Sequence, residues 1–253
     1  MPRPVSKSFK LAVPDAEATA DAAVTRGAVT VTAKVDAPAR PERAAGALVL
    51  AHGANNDLDH SLLAYLATHL AAAAGVTVLR FNFPYVERGA ESPDSAPVLE
   101  ATFRAAYNHL VAELVSPGTP VFVGGKSLGG RVAAELVSRR PEGDGLIAAG
   151  LIELGYPLHA PGRTDRVNLK PLRHVDIPSL FCIGSRDAFC DLELLRPVLP
   201  TLTPPGELYV VEGGDHSLVL PRLVLPRFSG REPQDAYPDV AARVAAFIQS
   251  ATH

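Results

Sequence analysis

The chain lacks most of the features that tie a protein to a special environment. It has two cysteines, Cys182 and Cys190, in 253 residues. That is too few for a disulfide framework, and their spacing is not that of a zinc site, so both read as free thiols. No stretch approaches the roughly 20 apolar residues of a membrane span, and the basic start Met1–Lys10 is not followed by an apolar run of signal-peptide length. The expectation is a cytoplasmic protein with no membrane partner. There is also no polybasic block, and the formal net charge of -3 leaves nothing to neutralise a phosphate backbone, which excludes nucleic acid as the expected partner. Glycine (20) and proline (23) stay below the roughly 25–30% that marks low-complexity chains.

What is present is a globular composition, 47% hydrophobic and 20% charged. A chain of this length buries about 70–75% of its unfolded surface and needs neither disulfides nor a structural metal. A single domain over 1–253 is expected, with N-terminal edge strands in 1–45 and a catalytic core in 46–253. In the first part, Ala28-Val29-Thr30-Val31-Thr32-Ala33-Lys34-Val35 alternates as a strand. After Gly46 the pattern changes to continuous apolar runs separated by helical stretches, as in a buried parallel sheet. Strands are predicted at Ala47–Ala51, Val76–Phe81, Pro120–Gly124, Leu146–Leu154, Pro178–Gly184 and Glu207–Val211. Helices are predicted at about His60–Ala74, Val98–Leu114, Leu128–Arg139, Asp191–Leu199 and Gln234–Gln249, with Pro117 and Pro141 where helices should stop. That rhythm predicts a mostly parallel, doubly wound α/β sheet with helices on both faces and ligands beyond the carboxyl ends of its strands.

The strongest chemical signal is Gly125-Lys126-Ser127-Leu128-Gly129-Gly130, a G-x-S-x-G pattern between the apolar run Val121-Phe122-Val123 and a helix starting near Leu128. At a sharp strand-to-helix turn a serine is held in a strained backbone conformation, and its neighbours must be small. The following helix aims its positive N-terminus at the site. A serine hydroxyl is a weak nucleophile, so a base and an orienting acid are required. His216, after the strand Glu207–Val211, and Asp187, after the strand Pro178–Gly184, supply them in the order Ser, Asp, His. Asp215 is a rival acid too close in sequence to His216, and Glu153 ranks second to Asp187. Asp187 read alone could instead cap a helix or make a turn.

Acyl transfer also needs donors for the developing oxyanion. The N–H of Leu128 is one, and His52-Gly53-Ala54-Asn55 offers a second in the N–H of Ala54. His52 is read as bracing that loop. Asp57, Asp59 and His60 are read as unrelated to metal, with Asp59 a candidate helix cap. Lys126 and Arg88 receive no role, because long cationic side chains are usually surface groups. Two copies of Leu-Val-Leu-Pro-Arg, at 218–222 and 223–227, read as an irregular packed segment or as an apolar rim for substrate.

Through Leu50-Ala51-His52-Gly53-Ala54, Gly125-Lys126-Ser127-Leu128-Gly129, Gly184-Ser185-Arg186-Asp187 and Gly213-Gly214-Asp215-His216 the chain resembles the α/β-hydrolase superfamily. More narrowly it resembles the small hydrolase-like family of the third subunit of the non-specific-lethal complex, its testis-expressed homologue and bacterial relatives. Phe81-Asn82-Phe83-Pro84-Tyr85, Gly124-Gly125-Lys126-Ser127-Leu128-Gly129-Gly130-Arg131 and Leu154-Gly155-Tyr156-Pro157-Leu158-His159 carry that likeness. Dienelactone-hydrolase-like enzymes are more distant, with cysteine where this chain has Ser127. Ala188 and Cys190 stand where the family has proline and glycine. Cys190 is read as a buried apolar side chain, with a redox-sensitive thiol as the alternative.

The expected function is a serine hydrolase (carboxylesterase-like) that cleaves small carboxylic esters or thioesters through an acyl-enzyme, with Ser127, Asp187 and His216 catalytic and no cofactor or metal. Alternatives are a peptidase or acyltransferase using the same triad, and a non-catalytic adaptor of the same fold. Some twenty residues between Leu154 and Pro178 are too few for a large cap domain.

Overall fold

The structure, a computed structural model, describes residues 4–14, 29–220, 234 and 236–252. They fall into two compact units, Met1–Thr119 and Pro120–His253. Most of the duplicated segment, from Pro221 onward, lies outside the described residues, as do Ala28 and part of the connection before the last helix.

The first unit holds strands β1 (Val5–Val13), β2 (Val29–Ala37), β3 (Gly46–Ala51) and β4 (Val76–Phe81). β1 and β2 pair antiparallel in the register Val5↔Ala37 to Val13↔Val29, β2 pairs antiparallel with β4, and β3 runs parallel to β4 from Gly46↔Val76 to Ala51↔Phe81. β3 and β4 are buried along their whole length, as continuous apolar runs require. β1 is exposed over most of its length, as an antiparallel edge strand can be.

Between β3 and β4 lies α1 (Ser61–His69), prolonged by a π turn over Leu70–Ala74. After β4 come the short α2 (Pro84–Glu87) and α3 (Ala96–His109), which ends in a second π turn, Leu110–Leu114. Phe81 meets Phe103 edge to face at 5.6 Å in the core. Asp59 does not cap α1, whose N-terminus at His60 has no side-chain cap. Its carboxylate instead pairs with Lys34 at 2.7 Å and Arg80 at 3.3 Å, because two cations within reach outweigh an N–H dipole.

In the second unit, β5 (Val121–Lys126), β6 (Gly150–Leu154), β7 (Ser179–Gly184) and β8 (Glu207–Val211) pair in sequence order, all parallel. α4 (Leu128–Ser138) packs on β5 and β6, and α6 (Tyr237–Ser250) on β7 and β8. Two sequence-predicted elements are shorter than expected. β6 begins at Gly150, since Leu146 and Ala149 donate to Leu136 and Val121 outside its ladder. The helix expected over Asp191–Leu199 is α5 (Leu192–Leu195), followed by a separate 3-10 turn at Leu199–Thr201. Asp191 caps α5, accepting from the Glu193 N–H at 2.9 Å. Between β6 and β7 there is a single 3-10 turn, Lys170–Leu172, and no cap domain. No described helix is long and apolar enough to cross a membrane.

Candidate active site

One residue, Ser127, separates the last residue of β5 from the first of α4. The reversal within that step forces it to φ +51° and ψ -113°, a region that L side chains rarely enter and that costs about 1–3 kcal/mol. Its N–H is held by Leu154 O on β6 at 3.1 Å. The turn is crowded on its inner side. A Cβ at Gly130 would lie 2.0 Å from Glu153 Oε2 and 2.9 Å from Gly125 O, so no larger residue fits there.

The loops after β7 and β8 meet Ser127 at the carboxyl end of the sheet. Both oxygens of Asp187 lie 2.9 Å from His216 Nδ1, and His216 Nε2 lies 2.9 Å from Ser127 Oγ. An ionised carboxylate only accepts, so Nδ1 carries the proton and Nε2 is left to accept from the hydroxyl. The Asp187 side chain is fully buried and that of His216 is 18% exposed, so the carboxylate is shielded from water while the imidazole is not. The Phe189 N–H donates to Asp187 Oδ1 at 2.8 Å, and the Phe189 ring lies 4.3 Å, centre to centre, from the imidazole.

The loops are stapled to each other. Ser185 Oγ donates to Glu212 and accepts from the Gly213 N–H, and the Arg186 N–H donates to Gly214 O. Gly155, at φ +65°, lets β6 end against the histidine, since a Cβ there would come within 2.5 Å of His216 O. Asp215 is occupied elsewhere, accepting from the N–H groups of Ser217 and Val219.

Glu153 does not approach this role. It is fully buried, neither carboxylate oxygen has a hydrogen-bond partner among the described residues, and burial pushes its carboxyl well above the usual range. Lys126 departs from expectation in the other direction. It is 5% exposed rather than on the surface, and burial lowers its ammonium pKa against the opposing pull of Asp187 and Asp215. Arg88, by contrast, is an exposed group paired with Asp94.

Cys190 is buried, and burial with the nearby Asp187 and Asp191 carboxylates pushes its thiol up to about 12. That matches an inert apolar side chain rather than a redox sensor. The Leu128 N–H stands in the first turn of α4, where helix donors have no partner of their own. Ala54 sits exposed in the turn after β3, within the Met1–Thr119 unit. In that unit His52 braces its loop, its Nδ1 2.8 Å from Gly53 O and its Nε2 accepting from the Phe83 N–H.

A pocket of about 330 Å³ opens at Ser127, with Leu128, Pro157, Ala160 and Phe189 as its apolar wall. Two cations, Arg131 and Arg166, also line it. Sequence reasoning assigned neither a role, although Arg131 ends the Gly124–Arg131 run that carries the family likeness and stands four residues after Ser127, the spacing that returns a helical side chain to the same face.

A family model described as an alpha/beta hydrolase domain matches residues 44–249. Among solved structures, dienelactone hydrolase from Anabaena variabilis is similar at 18% identity with a TM-score of 0.65, covering 98% of each chain. An α/β serine hydrolase without lid from Xanthomonas campestris is similar at 18% identity and a TM-score of 0.65, covering 99% of this chain and 97% of that one. An esterase from Pyrococcus furiosus matches at 15% identity and a TM-score of 0.65, over 98% and 93%.

Proposed function

The chain belongs to the alpha/beta hydrolase domain family, and from that premise we propose that it is a serine hydrolase acting on small carboxylic esters or thioesters through an acyl-enzyme intermediate. The observation that carries this reading is the unbroken run from Ser127 Oγ to His216 Nε2 and from His216 Nδ1 to Asp187, each step 2.9 Å.

Ser127 Oγ attacks the carbonyl carbon as His216 Nε2 takes its proton, and buried Asp187 stabilises the imidazolium that forms. The carbonyl oxygen becomes an oxyanion that accepts from the Leu128 N–H. Collapse breaks the bond to the leaving group, which departs with the proton held by His216. Water then repeats the attack on the acyl-serine, giving its proton to His216, and the acid leaves as Ser127 regains its hydroxyl. The strained Ser127 backbone holds the nucleophile in place before substrate arrives. The pocket, with no cap domain above it, favours compact and soluble substrates.

A fluorophosphonate probe tests the reading directly. It is expected to label the wild-type protein and not Ser127→Ala, and 4-nitrophenol release from simple esters is expected to fall with the label. Equal labelling of both proteins would overturn the assignment of Ser127.

A further inference from the structure

The pocket beside Ser127 is mixed in character. Its lining combines the apolar side chains of Leu128, Pro157, Ala160 and Phe189 with two arginines, Arg131 and Arg166. No aspartate or glutamate is among its lining residues. The Arg131 side chain is half-buried and makes no ion pair among the described residues. Arg166 is weaker, with its side chain 78% exposed and a 3.7 Å contact to Asp165 that water screens to little value.

His159, also at the pocket, is not available as a third cation. Its Nε2 accepts from the Asp191 N–H and its Nδ1 faces Ala160 O, so both ring nitrogens are engaged. Arg131 is therefore a half-buried cation on the pocket wall, one helical turn from the nucleophile; the carboxylate of Glu135, a turn further along α4, shares its surroundings beside Tyr156 without lining the pocket. A guanidinium in that setting presents a fork of donors that matches a carboxylate, and it gains most when its partner arrives in the same partly buried place.

Resting on the reading of Ser127 as nucleophile, we propose that the natural substrate is an anionic ester or thioester, one that carries a second carboxylate a few bonds from the scissile carbonyl, with Arg131 as its principal binding group and Arg166 as an auxiliary one. The pocket, about 330 Å³, lies at the small end of the range for small-molecule sites. That accommodates a short acyl chain with a terminal carboxylate and not a long lipid. The apolar side chains then take the methylenes while the arginines take the charge.

Matched esters make the experiment. Mono-4-nitrophenyl adipate and 4-nitrophenyl hexanoate differ by a terminal carboxylate on chains of equal length. A hexanoate ester of 5-hydroxy-2-nitrobenzoate places the charge on the leaving group instead. Each kcat/KM is divided by the ester's own rate with hydroxide and corrected for turnover by Ser127→Ala. Wild type is expected to prefer an anionic ester by about tenfold or more, and whichever anionic ester is preferred identifies the side that faces Arg131. Arg131→Gln is expected to lower that preference about tenfold, Arg131→Lys to restore part of it, Arg166→Gln to lower it by less, and added salt to erode it.

No preference for either anionic ester, or a preference that survives Arg131→Gln unchanged, would overturn the proposal while leaving the triad intact. Failure of the triad itself would show separately, as ester turnover that persists in Ser127→Ala.

Discussion

In the Met1–Thr119 unit the buried guanidinium of Arg80 gives one terminal nitrogen to Asp36 at 2.8 Å and the other to Leu58 O and Asp59. In the Pro120–His253 unit neither oxygen of the equally buried Glu153 carboxyl has a hydrogen-bond partner among the described residues, and Ser127 keeps a strained backbone. Both units thread buried parallel strands through an apolar core. They differ in what is left over: Arg80 keeps a single orphan atom, its Nε, beside a network that takes up both terminal nitrogens, whereas Glu153 leaves a whole carboxyl unpartnered among the described residues. A closed network fixes a fold, whereas unsatisfied groups are costly and persist where something else will complete them.

The largest expected effect bears on the second unit. Ser127→Ala should lower kcat for an activated ester on the order of 10⁴–10⁶-fold, because members of a triad act as a unit. Asp187→Asn should cost about 10⁴-fold by leaving His216 in the wrong tautomer. Steady-state kinetics with correction for the uncatalysed rate measures both. A loss below about tenfold in either would remove the contrast, since the open groups would then be doing nothing.

The first unit should respond in stability instead. Arg80→Leu leaves Asp36, whose side chain is 6% exposed, buried without its partner, at a cost of about 3–5 kcal/mol. Replacing Asp36 by leucine as well should recover most of that, because a buried pair exchanged for apolar groups of similar volume is often close to neutral. Urea unfolding midpoints of the two variants decide the matter. A double variant no better than the single would show that the network does more than neutralise charge.

Much of this was legible in the sequence, and the losses have physical causes. β4 and β8 have the predicted bounds because each is an apolar run ended by residues that cannot continue it. β1 escaped definition because its exposed positions carry almost no periodic signal. The π turns at Leu70–Ala74 and Leu110–Leu114 are invisible to a helical pattern, since leucine and alanine suit either geometry. The hydrogen-bonded run Ser127–His216–Asp187 was readable because its three members sit just after strand ends in a recognisable order. Arg131 was readable in principle from its four-residue offset and was missed because an arginine on a helix is ordinarily a surface group. The isolation of Glu153 was not readable. It depends on what β6 and α4 fail to offer it, which no local pattern encodes.

A smaller effect tests how tightly the second unit is built around its open groups. In a helix interior alanine is favoured over glycine by about 1 kcal/mol. At Gly130 that gain is outweighed, because the added Cβ would lie 2.0 Å from Glu153 Oε2 and 2.9 Å from Gly125 O. Gly130→Ala should therefore destabilise by about 1–3 kcal/mol, the usual cost of overpacking. Paired with Glu153→Ala it should lose less than the sum of the two single changes, which a double-mutant cycle on unfolding free energies reads directly. Strict additivity would place the clash elsewhere.

The finest comparison sets one glutamate from each unit against the other as pH changes. Burial works to raise Glu87 in the first unit, but hydrogen bonds from Asn82, the Thr32 N–H and Lys10 overcome it and hold the carboxyl down at about 2. Its folded value lies below that of an unfolded glutamate, about 4.3. Its contribution is therefore present above that pH and is lost as pH falls toward 2. Burial raises Glu153 with nothing to oppose it, so the sign reverses. The folded protein keeps a proton that the unfolded chain gives up above about 4.3, and stability drains away as pH rises, by at most about 1.4 kcal/mol per unit, until the folded carboxyl itself ionises. Glu153→Gln cannot ionise and should flatten the neutral and alkaline limb of a plot of urea midpoint against pH. Glu87→Gln should flatten the acid limb by less, since its partners are partly exposed. Wild type and Glu153→Gln tracking in parallel from pH 4 to 9 would mean that Glu153 is charged in the folded state. The unused polar capacity of the second unit would then have a partner after all.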